Sequence, residues 1–251
     1  MNEKAKKFDI INCKFCEESL GKLMRSPDID LFYNHLSERS CKLSCQNGHI
    51  GLIHLQNENF EIQFQLGARA LIDGYYAESV FNFTKALERF YEFCIKIFLL
   101  EDKLPNDFEA AWDLVRNQSE RQLGAFIFLY LKCFNESTEI LKDFKINRKN
   151  GQEFRNKVIH KGYLPSKKEA TSYGEFIFNN IIKIITKLKQ KYNAKIFQIG
   201  IIDQVKLKDN NKDISDVSNL WIGTVLSLAR EDIDRINFED ELKKLGEKRN
   251  S

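Results

Sequence analysis

The sequence predicts a mainly α fold: a helical bundle with a small cysteine-rich N-terminal module and a short mixed α/β C-terminal extension. Three observations predict it. From about Asn59 to Tyr192 apolar residues recur every three or four positions, the period of a helix buried along one side. Prolines occur only at 27, 105 and 165, leaving long stretches without a helix breaker. Four of the six cysteines fall within the first 45 residues, ahead of the helical periodicity. The chain has 251 residues, 43% of them hydrophobic and 20 of them phenylalanine, which is ample for a core. The expected boundaries are 1–57, 58–193 and 194–251.

Met1 to Lys7 is charged and is not followed by the apolar core of a signal sequence. No run of 18 uncharged apolar residues suggests a membrane span, so a cytoplasmic protein is expected. Cys13 and Cys16 form a C-x2-C pair, and Cys45 and His49 form a C-x3-H pair 28 residues further on. Two such pairs match a tetrahedral Zn2+ site with three thiolates and one imidazole. In a reducing compartment a metal is favoured over disulfides. Four protein ligands leave no open position, so the zinc is expected to be structural. Cys41 is an alternative to His49, which would make the site all-cysteine. Cys45-x-x-Gly48-His49 is similar to the closing half of many zinc ribbons, and Ile50 to Leu55 has the short apolar character of a strand. Cys94 and Cys133 lie in apolar helical stretches and are expected in the core.

In the bundle, Phe60, Phe64, Gly67, Ala68 and Leu71 mark a first helix, stopped by Asp73-Gly74. A second runs from Tyr75 to Leu100 with Val80, Phe83, Leu87, Phe90, Cys94 and Ile97 as its stripe. Asn106 with Glu109 opens a helix over 108–115, and Ser119 with Gln122 another over 123–134. Asn150 and Glu153 cap a helix over 152–161, and Ser166 and Glu169 cap a long one from Lys167 to about Tyr192. Its expected stripe is Tyr173, Phe176, Ile177, Ile181, Ile184, Ile185 and Leu188. Such faces are buried only against one another, hence a bundle. In the extension, 194–205 and 222–228 contain short strand-like runs, and Asn237 caps a charged helix over 238–248.

Charge is unevenly spread. The net charge is +3, but residues 141–195 hold 14 Lys and Arg against 4 Asp and Glu, an excess of +10. A phosphate backbone would be drawn to such a segment. A solvated lysine face, including Lys183, Lys187, Lys189 and Lys191, is the alternative. Within it lie Arg155, Asn156 and His160, on the helix before Gly162 and Pro165. Asn156 and His160 are four apart and share a helix face; Arg155 and His160 diverge by roughly 140°. Histidine can move protons near neutral pH, and arginine can hold a phosphate with a planar fork of donors.

Arg155-Asn-Lys-Val-Ile-His160 resembles the R-x4-6-H motif of the HEPN superfamily. The stretches Gly67 to Glu78 and Ala86 to Phe93 are similar to the opening hairpin of bacterial members with a zinc-binding N-terminus. The likeness covers roughly residues 45–190. It implies a metal-independent endoribonuclease in which Arg155, Asn156 and His160 are catalytic. It also implies a homodimer that brings two motifs to one cleft, and a toxin-like or antiviral defence role. Glu88 and Glu92 are candidates for polar residues facing the motif; a solvated helix edge is the alternative for both. Two further readings stay open: a non-catalytic RNA-binding or scaffolding module, and a toxin–antitoxin partner of a nucleotidyltransferase. No P-loop, dinucleotide fingerprint or serine-nucleophile motif is present, and no other cofactor is expected.

Overall fold

A computed structural model describes residues 8–12, 19–24, 39–44, 47–100, 107–138, 145–146, 149–210, 214 and 216–249. In chain order the elements are β1 (Phe8–Asn12), β2 (Ser19–Met24), β3 (Ser40–Ser44), β4 (Ile50–Leu55), α1 (Asn59–Ile72), α2 (Tyr76–Leu99), α3 (Phe108–Asp113), α4 (Ser119–Phe134), β5 (Lys145–Ile146), β6 (Lys149–Asn150), α5 (Gly151–Lys161), α6 (Lys167–Asn210), β7 (Asp216–Leu220), a 3-10 turn (Ile233–Arg235) and α7 (Phe238–Arg249). The fold is mainly helical. Among the described residues no helix is long and apolar enough to cross a membrane.

Two compact units are formed: Met1–Asn57 with Gly200–Gly223, and Glu58–Ile199 with Thr224–Ser251. Residues 194–251 are therefore not a separate extension, and each half has a physical reason for its place. In the first unit β7 pairs in parallel with β4, giving the strand order β3-β4-β7. Parallel neighbours need a long crossover, and the whole helical unit supplies it. The ladder continues past the strand: Gln56 N donates to Leu220 O (2.8 Å), and the buried Asn57 side chain bonds both the N–H and the C=O of Ile222 (2.8 and 2.9 Å). β4 is buried from Gly51 to Leu55, as its near-continuous apolar run requires of a central strand. β3 pairs with β4 in antiparallel register, as β1 does with β2.

In the second unit α1 and α2 form a hairpin across Gly74 (φ 86°). The whole expected stripe of α2, Val80 to Ile97, is buried, as are Phe60, Phe64, Gly67, Ala68 and Leu71 on α1. On α6 the expected stripe is buried except Phe176, which is half-buried. Phe83 fills the space between α1 and α6. A Cβ at Gly67 would lie 2.6 Å from its ring, and one at Gly174 2.4 Å. Phe64, Phe178 and Phe238 complete this cluster, with Phe64 4.7 Å from Phe83 and Phe178 5.4 Å from Phe238 between ring centroids.

The strands expected in 194–205 and 222–228 are absent. Residues 194–205 continue α6 past Tyr192, whose φ of −131° and ψ of 26° break the helical geometry where the long helix was expected to end. Short apolar runs cannot be assigned to helix or strand by periodicity alone. Residues 224–228 form turns whose N–H groups meet α1: Val225 donates to Gln65 Oε1 (2.9 Å) and Leu228 to Glu61 Oε1 (2.8 Å). Glu61 and Gln65 are fully buried, so these bonds satisfy side chain and loop together. Asn237 caps α7 as expected, accepting from Glu239 N at 2.9 Å. α4 begins at Ser119, with Gln118 at the cap position, so Ser119 is the first residue of the helix and not its cap. Asn106 lies outside the described residues.

Candidate functional site: a carboxylate-held arginine and an exposed histidine

The capping box of α5 forms as expected: Asn150 Oδ1 accepts from Glu153 N (2.9 Å), and Glu153 accepts from Asn150 N (3.3 Å). Gly162, at φ 64° and ψ 23°, ends the helix in the left-handed conformation. Phe154 and Val158 are its buried face, with the Phe154 ring 5.4 Å from that of Tyr173 on α6. Arg155, one position on, reaches across to the neighbouring helices. Its Nη2 donates to Glu88 Oε1 on α2 (2.9 Å) and to Ser119 Oγ on α4 (3.3 Å), and its Nη1 donates to Asn156 Oδ1 (3.0 Å). Three helices thus meet at one guanidinium. Lys85 Nζ donates to the other oxygen of Glu88 (2.9 Å). Beside these groups is a cavity of about 40 Å³, room for a water or two, lined by Thr84, Glu88, Tyr91, Ser119, Gln152 and Arg155 among others. The Arg155 Nε–H is buried and has no hydrogen-bond partner.

His160 is not part of this cluster. It is exposed in the last turn of α5, and among the described residues no hydrogen bond or ion pair joins it to Arg155 or Asn156. The divergence expected from five-residue spacing is what the helix delivers. Of the two glutamates singled out in the sequence, Glu88 meets the motif. Glu92 pairs with Arg89 (2.7 Å) and Lys96 (3.1 Å) instead. Ser119 enters the site without a sequence signal, because 36 positions separate it from Arg155.

The lysines of the basic segment divide into two groups. Lys189 donates to Arg230 O (2.7 Å), Lys191 to Cys133 O at the end of α4, Lys195 to Leu100 O after α2, and Lys187 pairs with Glu136. Lys191 and Lys195 meet carbonyls at helix C-termini, where cations are favourable, and all four lysines fasten α6 to neighbouring segments. Lys161, Lys167, Lys168 and Lys183 are exposed. The turn after His160 is firmly held. Tyr163 donates to Glu169 (2.9 Å), and Lys157 Nζ lies 3.4 Å from the centre of the Tyr163 ring. Burial alone would raise the Glu169 carboxyl, but hydrogen bonds from Ser166 and Tyr163 hold it below its ordinary value.

Of the expected metal ligands, Cys13, Cys16 and Cys45 lie outside the described residues. His49 is exposed immediately before β4. In the register, Asn12 of β1 opposes Ser19 of β2 and Ser44 of β3 opposes Ile50 of β4, and Gly48, just before β4, has φ 79°. Cys41 lies within β3 opposite Ile53. Among the described residues no group of three or more metal-ligating side chains occurs. A donor set of three thiolates and one imidazole is one that suits zinc.

Sequence reasoning assigned nothing to His54. It is buried in β4, and burial, then the nearby Arg39 guanidinium, hold its pKa below the ordinary value. Arg39 donates to Asn57 O (3.0 Å) and pairs with Asp203. Comparison of the chain with family models, with curated proteins and with solved structures finds no match to any of them.

Proposed function

We propose that the chain is a metal-independent endoribonuclease of the HEPN type that works as a homodimer. One observation carries this: Arg155 and Asn156, hydrogen-bonded to each other, share a short, well-capped helix with an exposed His160. In the reaction the RNA 2′-oxygen attacks the adjacent phosphorus. The 2′-O–P bond forms and the P–O5′ bond breaks, leaving a 2′,3′-cyclic phosphate and a 5′-hydroxyl. One proton leaves the 2′-hydroxyl and one is delivered to the 5′-oxygen. His160 takes part in these transfers, Arg155 offsets charge growing on the phosphate, and Asn156 orients Arg155. Because Arg155 and His160 diverge within one chain, the cleft takes them from two copies. Zinc, bound by Cys13, Cys16, Cys45 and His49, holds the N-terminal hairpins and does no chemistry. The toxin-like or antiviral role follows from the resemblance alone.

The test is cleavage of a defined RNA by the wild-type chain and by His160→Ala and Arg155→Ala. Loss of a proton-transfer group costs on the order of 10²–10⁴-fold. Brief EDTA treatment should leave activity intact, and a single 2′-deoxy substitution should block the cut at that bond. Cleavage at the deoxy position, or 3′-hydroxyl products, would overturn the chemistry. A second reading has its own observation: the Glu88 ion pair already compensates Arg155, as in a structural role. On that reading the chain is a non-catalytic RNA-binding or scaffolding module. It would bind RNA without cutting it, and Arg155→Ala would cost stability.

A further inference from the structure

We infer that Glu88 is a counter-ion shared between two cations, and that Lys85 is a positioning residue that lets Arg155 leave Glu88 when an RNA phosphate arrives. The inference rests on the RNA-directed role proposed for Arg155. The two cations use different carboxylate oxygens, each at 2.9 Å, so either can remain when the other departs. Their settings differ. The side chains of Glu88 and Arg155 are 9% and 13% exposed, whereas that of Lys85 is 44% exposed.

Both terminal nitrogens of Arg155 are engaged inward, by Glu88, Ser119 and Asn156. A phosphate that takes two parallel N–H donors from this fork must displace some of those partners. Losing Arg155 would leave a buried carboxylate uncompensated, which is strongly unfavourable. Lys85 removes that obstacle. Its ammonium already touches Glu88, and its long half-exposed stem can carry it further inward. The Arg155 Nε–H, buried beside the cavity and without a partner, is a third donor for the phosphate once the guanidinium has left Glu88.

The probe is a short single-stranded RNA made uncleavable by 2′-deoxy substitution. Its affinity for the full-length protein is measured by fluorescence anisotropy over a series of salt concentrations. Lys85→Met should weaken binding about tenfold, since Arg155 is then Glu88's sole counter-ion. The salt dependence should not change, because Lys85 touches no phosphate. Lys85→Arg should restore affinity. In a Glu88→Gln background, Lys85→Met should have no further effect.

A fall in the salt slope of about 0.7, the signature of one lost phosphate contact on a single strand, would show Lys85 acting directly and overturn the inference. Unchanged affinity in Lys85→Met would overturn it equally. If Glu88→Gln does not fold, the salt slope of Lys85→Met still decides between the two. A wild-type chain that binds this RNA but leaves the all-ribo version uncut would remove the ribonuclease proposal while leaving the exchange at Glu88 standing. A wild-type chain that binds no RNA would overturn both.

Discussion

Gly174→Ala should destabilise the helical unit, although alanine is the better helix former. The intrinsic gain from Gly to Ala inside a helix is about 1 kcal/mol. Against it stands Phe83. The added methyl would lie 2.4 Å from the Phe83 ring, roughly 1 Å inside ordinary contact. The ring cannot retreat. A Cβ on Gly67 would meet its other edge at 2.6 Å, Phe64 is 4.7 Å away, and Phe83 is fully buried. Overpacking of this kind costs about 1–3 kcal/mol, and two fixed walls put it at the upper end. After the propensity gain a net loss of about 2 kcal/mol remains. The assay is urea unfolding followed by Trp112 in a Trp221→Phe background, because Trp112 lies in the helical unit and Trp221 in the other. With a slope of about 2 kcal/mol per molar urea, the midpoint should fall by about 1 M. Pairing Gly174→Ala with Phe83→Leu should recover part of the loss. A Gly174→Ala chain as stable as wild type, or more so, would refute the clamp.

Two further outcomes are expected. Purified protein should carry close to one zinc per chain by elemental analysis; Cys45→Ser should lose it and Cys41→Ser should keep it, so a metal-free wild type or a zinc-replete Cys45→Ser would count against the ligand set. The first unit should lose stability as pH falls below the ordinary histidine range: folding holds the His54 pKa down, so the unfolded chain binds the extra proton, and the stabilisation is complete above about pH 6.5 and declines on acidification. Unfolding followed by Trp221, in a Trp112→Phe background, should show this dependence, and His54→Gln should flatten it.

Much of the helical unit was legible because its longest helices carry apolar stripes and two of its helices open with recognisable capping boxes. The Asn150–Glu153 and Ser166–Glu169 boxes form as the sequence indicates. β7 was not legible: Asp216-Val-Ser-Asn-Leu220 is short and polar, and only its parallel pairing with β4 makes it a strand. The candidate site was half legible, for a related reason. Thr84, Glu88 and Tyr91 fall on one face of α2, Ser119 and Leu123 on one face of α4, and Gln152 and Arg155 on one face of α5, and all line the same cavity. Periodicity groups residues into faces. Which faces meet depends on packing between helices far apart in sequence, and Glu88 lies 67 positions from Arg155.

The same geometry leads to a last prediction, about how Arg155 and His160 could serve one reaction. A spacing of five places them about 140° apart on α5, and the structure spends that angle fully: Arg155 faces inward to Glu88 while His160 is exposed. On the proposed division of the cleft, a histidine of one copy works with the arginine of another. Across a two-fold axis each chain contributes one of each. Mixing Arg155→Ala chains with His160→Ala chains, each inactive alone, should therefore restore RNA cleavage. In a mixed dimer one arrangement carries both lesions and the other carries none. With random exchange half the dimers are mixed, so activity should return to about a quarter of wild type. Differently tagged chains, counted by native mass spectrometry, establish that mixed dimers form. If they form and cleave no RNA, Arg155 and His160 are not shared between copies in this way, and the proposed division of the cleft is wrong.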